Sequence, residues 1–159
     1  MASTIELLLL AQSLQSDTQV VPSGGQLVNS TSYTAVFSWN VTAGITYRFR
    51  AVIFYTAGAA AGTPSLELFT AGGAVVSETG YKFTYMGGGS TPQSECKTAF
   101  STVLSGPAMG TIGFTYQFTV EGTALFSTGG AFRVSAATSS ASDPWTIQQG
   151  SLMTCVPLQ

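Results

Sequence analysis

The stretch "AGITYRFRAVIFYTAGAAAG", Ala43 to Gly62, decides the fold class of this 159-residue chain. Tyr47 and Phe49 alternate with Arg48 and Arg50, and alternation with a period of two predicts a β-strand with one buried face. The second half of the stretch is apolar on both faces and ends in a run of Ala and Gly. Such a strand needs cover on both sides, so its second face requires an explanation.

Other segments of the chain also have the composition of strands, and clusters of Gly, Pro, Asn or Ser separate them as turns do. In "TSYTAVFSWNV" the alternation places Tyr33, Ala35, Phe37 and Trp39 on one face. About eight strands at short spacing predict an all-β fold, either a sandwich, a jelly roll or a barrel. The remaining segments read SLELFT, AVVSETGYKFTYM, TAFSTVLSG, IGFTYQFTVEG, AFRVSAATSS and WTIQQGSLMTCVPL.

The N-terminal segment differs from the rest, and we predict an arm or anchor over residues 1–26 followed by a β-sandwich domain over residues 27–159. "STIELLLLAQSLQS" fits either a short helix capped by Ser3 or Thr4 or an extended arm whose leucines dock on a neighbour. It differs from a signal peptide because Glu6, and not Lys or Arg, precedes the apolar run, which is too short to span a membrane. We therefore expect synthesis in a cytoplasm without export, and no membrane partner.

The charge content is low for a soluble domain. Charged residues make up 8% of the chain, against a typical value of about 25%, whereas the hydrophobic fraction of 45% is ordinary. A free monomer normally keeps a charged surface, so we expect sister subunits or a larger shell to cover much of this one. The five cations do not form the Lys and Arg clusters that phosphate binding needs, so we expect no nucleic-acid partner.

The residues that usually carry catalysis are absent or scattered. The chain has no histidine, and its seven carboxylates occur singly. A glycosidase-like pair, for instance Glu67 with Glu78, would have to meet through folding, and we favour solvated strand positions for both. We predict no enzyme, no metal and no cofactor. Cys96 and Cys155 show no metal-ligand spacing and fit either a disulfide or two thiols.

The aromatic residues, ten Phe, six Tyr and two Trp, permit a sugar-binding platform. Trp145 lies next to a turn in "SDPWT", where it would be exposed, and Tyr81 is the second candidate. The competing interpretation, which we favour, is that most rings occupy alternating strand positions and fill the core.

Arg48 and Arg50 are unusual in so uncharged a chain. If Tyr47 faces the core, both arginines point away from it, and two like charges at this spacing repel unless acceptors surround them. One interpretation is an inter-subunit role, in which the arginines pair with Glu67 or Glu121 of a neighbour. The other is that they only keep the surface soluble.

The ordered combination of "AQSLQSDTQVV" and "FSWNVTAGITYRFRAVIFYTAGAAAGTPSLEL" resembles a group of small proteins encoded by tailed bacteriophages and prophages. Their signature has the form v-x-A-G/N-x-T-Y-x-F-x-x-x-[LI]-F-Y-x-x-A-A-x-x-G, and a closing strand has the form x-x-G-S-x-L/M. The resemblance covers most of residues 10–158 and leaves "MGGGSTPQSECK", residues 86–97, unplaced. The matching positions are Ala43, Gly44, Thr46, Tyr47, Phe49, Ile53, Phe54, Tyr55, Ala59, Ala60 and Gly62, then Gly150, Ser151 and Met153.

Proteins of this group are virion components, so the resemblance implies a single antiparallel β-sandwich of jelly-roll type that assembles as a homotrimer and has no catalytic residues. On this interpretation, the second face of the deciding strand packs against a sister subunit through Arg48, Arg50, Val52 and Phe54. The run from Ala57 to Gly62 would allow close backbone approach near a three-fold axis.

We therefore expect a capsid decoration (cement) protein of a bacteriophage, made in the host cytoplasm, that binds the major capsid protein on the outer surface of the virion. The alternative is a tail or head-fibre tip domain that binds a host-surface glycan through Trp145 and Tyr81. In the first case the leucine-rich N-terminus would anchor the protein to the shell through Ile5, Leu7, Leu8, Leu9, Leu10 and Leu14.

Overall fold

The computed structural model of the protein describes residues 18–58, 62–86, 92–106, 109 and 114–158. These residues form twelve β-strands and no helix. The strands are β1 (Thr18–Val20), β2 (Gln26–Val28), β3 (Thr34–Val41), β4 (Thr46–Ala57), β5 (Pro64–Ala71), β6 (Val75–Met86), β7 (Gln93–Lys97), β8 (Val103–Ser105), β9 (Thr115–Thr128), β10 (Gly130–Thr138), β11 (Trp145–Ile147) and β12 (Leu152–Leu158).

Two antiparallel sheets form a sandwich, which confirms the predicted all-β fold. Sheet A has the strand order β1-β12-β4-β9-β6-β7, and the short strands β11 and β2 add to the C-terminal end of β4. Sheet B has the order β3-β10-β5-β8. The last predicted segment is divided into β11 and β12 by a turn at residues 148–151.

The eight strands from β3 to β10 have the connectivity of a jelly roll. β3 pairs with β10, β4 with β9, β5 with β8 and β6 with β7, which is the pattern of one long antiparallel hairpin folded over on itself. Pairing of β5 with β10 and of β6 with β9 completes the two layers. The prediction of about eight strands therefore matches the jelly roll, and β1, β2, β11 and β12 widen sheet A beside β4.

Aromatic rings fill the space between the sheets, as the core interpretation predicted. Burying each such side chain contributes about 1.5–3 kcal/mol, so these rings hold the layers together. The ring centroid of Phe49 lies within 6.3 Å of those of Tyr81, Phe100 and Phe132. Further along the core, the ring centroid of Tyr55 lies within 5.4 Å of those of Tyr116, Phe118 and Trp145.

The alternation predicted for "TSYTAVFSWNV" is wrong before Phe37. A β-bulge at Val36 shifts the register, so that Phe37 pairs with Val134 while Ala35 pairs with the very next residue of β10. One extra residue reverses the face that the preceding side chains occupy. Tyr33 and Ala35 therefore lie on the face of sheet B that points away from the core.

The edges of both sheets, as far as the described residues form them, are poor templates for adding a strand. β1 and β8 have three residues each, and Glu95 and Lys97 form an ion pair of 2.7 Å on β7. On β3, the Ser38 N–H donates to Gln19 Oε1 at 3.1 Å, and Gln19 Nε2 donates to the Ser38 carbonyl. Short, capped and charged edges resist pairing with another chain, which leaves the sheet faces for contacts with partners.

The predicted N-terminal arm overlaps the sandwich. Within residues 1–26, positions 18–20 form β1 and pair with residues 152–154 of β12, and Gln26 begins β2. The domain boundary drawn after residue 26 therefore falls inside a strand. Residues 1–17, with the six predicted anchor residues and the choice between helix and arm, lie outside the described residues.

Candidate functional site

Strand β4 crosses sheet A with the two faces that its sequence predicts. Phe49 is buried, whereas Arg48 and Arg50 are exposed on the opposite side. Val52 and Phe54 continue along that outer face and are half-buried. The four residues predicted for a subunit interface thus share one surface, the outer face of sheet A.

Two positions of the motifs that carry the sequence resemblance have clear structural roles. Gly44 adopts a φ of 76° in the turn before β4, and its N–H donates to the Phe126 carbonyl at 2.7 Å. The buried Ser151 hydroxyl lies 2.9 Å from Phe54 N and 3.1 Å from Phe54 O. In the gap between β11 and β12 neither of these strands pairs with Phe54, and the Ser151 hydroxyl takes that place. The N–H and C=O groups of Phe54 therefore stay hydrogen-bonded.

The outer face of sheet A carries an excess of positive charge around one carboxylate. Arg50 Nε lies 3.7 Å from Glu121 Oε2, and Lys82 is directly opposite Glu121 on its other side. Arg48 lies two residues before Arg50 on the same face, and within the described part of the chain no carboxylate comes within 4 Å of it. The neighbourhood of Glu121, with three cations around this carboxylate, is suited to accept a further acidic group.

A shallow depression of about 610 Å³ lies over these charges, and we call it the Arg48 depression. Its floor is the backbone and side chains of three neighbouring strands, β12, β4 and β9. Hydroxyl groups and one valine complete its wall, so it offers both hydrogen bonds and apolar contact. The lining residues are Arg48, Phe49, Arg50, Glu121, Gly122, Thr123, Thr154 and Val156.

An apolar row crosses the same face beside the Arg48 depression. β1, β12 and β4 bring Val20, Leu152 and Val52 into successive register, and Phe54 follows Val52 along the strand. Val20 is 56% exposed, and Leu158, at the other end of β12, is also exposed. Exposed apolar side chains next to a charged depression are typical of a surface that binds a partner.

The Ala and Gly run at the end of β4 makes its close approaches within the chain. A Cβ on Gly58 would lie 2.9 Å from the Pro144 carbonyl oxygen, and a Cβ on Gly62 would lie 2.9 Å from Asp143 Cβ. These glycines are thus explained by the turn before β11, which packs on them. Contact across a three-fold axis is not needed to account for them, and residues 59–61 lie outside the described residues.

The predicted glycan platform is wrong in its residues. Trp145 is 0% exposed, and its Nε1–H donates to the Ala137 carbonyl at 3.1 Å. Tyr81 is 4% exposed, and its hydroxyl donates to the Ala99 carbonyl at 3.0 Å. Trp145 is covered by the rings of Tyr55 and Phe118, and Tyr81 by those of Phe49 and Phe100. These contacts are distant in sequence, so the local motif "SDPWT" did not reveal that Trp145 is enclosed.

Sequence reasoning missed a second apolar surface, on the outer face of sheet B. Phe69 on β5 is 40% exposed and Val103 on β8 is 51% exposed. Glu67 is half-buried and lies opposite Val103 in the register of these strands. The signal was present in "SLELFT", since Phe69 shares its strand face with the polar Glu67 and so points outward with it.

A second depression, of about 600 Å³, lies where the turn between β5 and β6 meets the connection that follows β7. It offers hydroxyl groups and one carboxylate to a polar ligand. The Phe100 ring at its base is held in place by stacking on Phe132 at a centroid distance of 5.2 Å. Its polar lining residues are Thr70, Ser77, Glu78, Thr79 and Thr98.

Other candidate chemistry does not assemble in the described residues. Glu67 lies on sheet B and Glu78 on sheet A, so the suggested carboxylate pair is divided between the layers. The described ranges contain no group of three metal-ligating side chains and no helix that could cross a membrane. Cys96 is exposed on β7, Cys155 is buried on β12, and no disulfide joins them.

The comparisons with known proteins identify no relative. No family model, no curated protein and no solved structure matches this chain. Its function therefore has to be inferred from the two outer faces of the sandwich and from the sequence motifs.

Proposed function

We propose that this chain is a non-enzymatic virion structural protein of a tailed bacteriophage. It acts as a homotrimeric decoration protein that binds the major capsid protein on the outer head surface and stabilises the shell. The observation that carries the proposal is the outer face of sheet A, where the Arg48 depression adjoins the apolar row of Val20, Leu152, Val52 and Phe54. A jelly roll alone hosts many functions, so this surface and the sequence resemblance carry the weight.

The physical demands of decoration fit a small sandwich with low charge. Docking costs several kcal/mol of translational and rotational freedom, and each large apolar side chain buried returns about 1.5–3 kcal/mol. A trimer also binds through three copies of a weak contact at once, which raises its affinity without any new interaction. Exposed apolar side chains on each subunit, such as Val20 and Leu158, would contribute to this contact.

The test is binding to heads that lack the protein. Purified full-length chain is mixed with such heads from its own phage, sedimented, and imaged by electron cryo-microscopy. The proposal expects ordered density on the outer shell and a higher temperature of head disruption. Protein that stays in the supernatant, or density confined to the tail, would contradict it.

The anchoring arm is tested separately by deleting residues 1–17, which leaves β1 and its pairing with β12 in place. The arm hypothesis expects the truncated protein to keep its oligomeric state and to lose binding to heads. Heads decorated normally by the truncated protein would remove the arm from the proposal and leave the sheet face as the contact.

The second candidate function is a fibre tip that binds a host glycan. Because Trp145 and Tyr81 are buried, the depression containing Glu78 and the Thr98 hydroxyl is the surface that favours this candidate. Glu78→Ala should then weaken adsorption to host cells without changing head stability. Unchanged adsorption would set this candidate aside.

A further inference from the structure

The charges of the two outer faces are complementary. On sheet A the carboxylate of Glu121 is already within 3.7 Å of Arg50, while no described carboxylate lies within 4 Å of Arg48. On sheet B, Glu67 is half-buried, and within the described ranges no cation lies within 4 Å of its carboxylate. Each face therefore has a charged group with no partner of opposite sign within 4 Å among the described residues, and the two groups have opposite signs.

The spacing of the charges is also matched. Arg48 and Glu121 are diagonal neighbours on adjacent antiparallel strands, because Glu121 pairs with Arg50. Glu67 and Arg133 are likewise diagonal neighbours, because Arg133 pairs with Phe69. Diagonal positions of this kind lie about 7–8 Å apart, so Arg48 and Glu121 on sheet A have the same separation as Arg133 and Glu67 on sheet B.

Apolar side chains accompany the charges on both faces. Phe69 and Val103 flank Glu67, and both are exposed. The row containing Val52 and Leu152 adjoins the Arg48 depression. The sheet edges are capped, short or charged, so an association between copies falls to these faces.

We infer that the occupant of the Arg48 depression is Glu67 of a second copy of this chain. The outer face of sheet A in one subunit packs against the outer face of sheet B in the next. Two different surfaces in contact make a head-to-tail interface, which closes into a ring when the rotation allows it. The number of subunits, three, is taken from the proposed function, on which the inference rests. The new element is the surface that meets the outer face of sheet A, namely the outer face of sheet B.

A symmetric contact between two copies of the same face fits less well. Packing sheet A on sheet A offers Arg48 only carboxylates of its own face, and Glu121 is already 3.7 Å from Arg50, so the surplus cations around it oppose association. Packing sheet B on sheet B leaves Arg48 without a carboxylate. The head-to-tail arrangement satisfies both Arg48 and Glu67 with one contact.

The test is charge reversal, measured by sedimentation velocity of the full-length chain over a range of concentrations. Arg48→Glu and Glu67→Arg should each raise the dissociation constant at least tenfold, about 1.4 kcal/mol, because each creates a like-charge contact. The double variant R48E/E67R restores opposite charges with inverted polarity and should return the dissociation constant close to that of the original protein. Neither single variant disturbs an ion pair that the structure describes within the subunit.

Matched controls are available on the far edge of sheet A. Lys97→Glu and Glu95→Arg change the net charge by the same amounts, and their residues form a pair on β7, outside both faces. Near-ultraviolet circular dichroism checks folding, and Glu67→Gln removes the charge without changing the shape if reversal prevents folding. For Glu67→Gln we expect a smaller weakening in the same direction.

Three results would overturn the inference. These are a monomer at all concentrations, a single reversal that leaves the dissociation constant unchanged, and a double variant no tighter than the weaker single variant. Binding to heads is read out independently. If the protein binds heads but Arg48→Glu leaves the dissociation constant between subunits unchanged, the inference is wrong and the proposed function stands. If the subunits associate as expected but never bind heads, the proposed function is wrong and the inference stands.

Discussion

The two faces of β4 carry different kinds of information. On the inner face Phe49 packs among rings that reach it from both sheets, so its environment is complete within one chain. On the outer face Arg48 and Arg50 line a depression in which Glu121 pairs with Arg50 alone, and Val52 and Phe54 are half-buried. The inner face explains why the chain folds, and the outer face is where we propose that a partner binds.

The largest expected effect breaks the inner face. Phe49→Ala removes a buried ring from the middle of its aromatic cluster and should lower the free energy of unfolding by about 3–5 kcal/mol. The control Lys82→Ala, at an exposed position on the outer face, should stay within about 0.5 kcal/mol. Urea unfolding followed by circular dichroism measures both, and equal costs would contradict the division between the faces.

Two glycines on adjacent strands, Gly80 on β6 and Gly122 on β9, sharpen the comparison. A Cβ on Gly122 would lie 2.4 Å from the Gly80 carbonyl oxygen and 2.4 Å from Tyr81 Cβ, so Gly122→Ala must push strands apart. We expect a loss of about 1–3 kcal/mol. Gly80 has open space at its Cβ, so Gly80→Ala should be neutral or stabilise the fold by up to about 1 kcal/mol. Thermal unfolding distinguishes the two, and a harmless Gly122→Ala would show that the strands tolerate the shift.

Two core tyrosines should respond differently to loss of the hydroxyl. The Tyr81 hydroxyl donates to the Ala99 carbonyl at 3.0 Å, so Tyr81→Phe should cost about 0.5–1.5 kcal/mol. The buried Tyr55 hydroxyl has no hydrogen-bond partner among the described residues, so Tyr55→Phe should be neutral or stabilising. Chemical denaturation at pH 7 tests this order, and a costlier Tyr55→Phe would reveal a partner for that hydroxyl.

The same tyrosine predicts an alkaline limit to stability. Burial, and to a lesser degree the neighbouring Tyr116, raises the pKa of Tyr55 above its ordinary value of 10.0. Below about pH 10 the Tyr55 hydroxyl is protonated in both the folded and the unfolded chain. Above that pH the hydroxyl ionises in the unfolded chain first, so the free energy of unfolding falls as the pH rises. The free energy of unfolding should therefore fall less steeply above pH 10 in Tyr55→Phe than in the original protein, and parallel curves would contradict the assignment.

The smallest expected effect is on the outer face. Arg50 and Glu121 lie 3.7 Å apart with side chains 63% and 51% exposed, so a double-mutant cycle with Arg50→Ala and Glu121→Ala should give about 0.2–1 kcal/mol. The coupling should fall with added salt because solvent ions screen exposed charges. A coupling that resists salt would mean that a partner already covers this pair.

Local patterns predicted those parts of the fold that depend on neighbouring residues. The alternation in "ITYRFRAVIFYT" assigned each side chain of β4 to its correct face, because a strand has a period of two wherever it runs straight. The same argument failed in "TSYTAVFSWNV", since a bulge is set by the partner strand and leaves little trace in the sequence. Trp145 was ambiguous for a similar reason: its cover comes from Tyr55 and Phe118, far away along the chain.

By itself the sequence determined that this chain is built from β-strands, which face of β4 is buried, and that the chain carries few charged residues. Only the tertiary structure decided that Glu121 forms an ion pair with Arg50, that Glu67 lies on the other sheet, and that Trp145 is buried. The reason is physical. Side-chain alternation is a property of a few consecutive residues, whereas charge pairing and enclosure depend on which distant strands become neighbours.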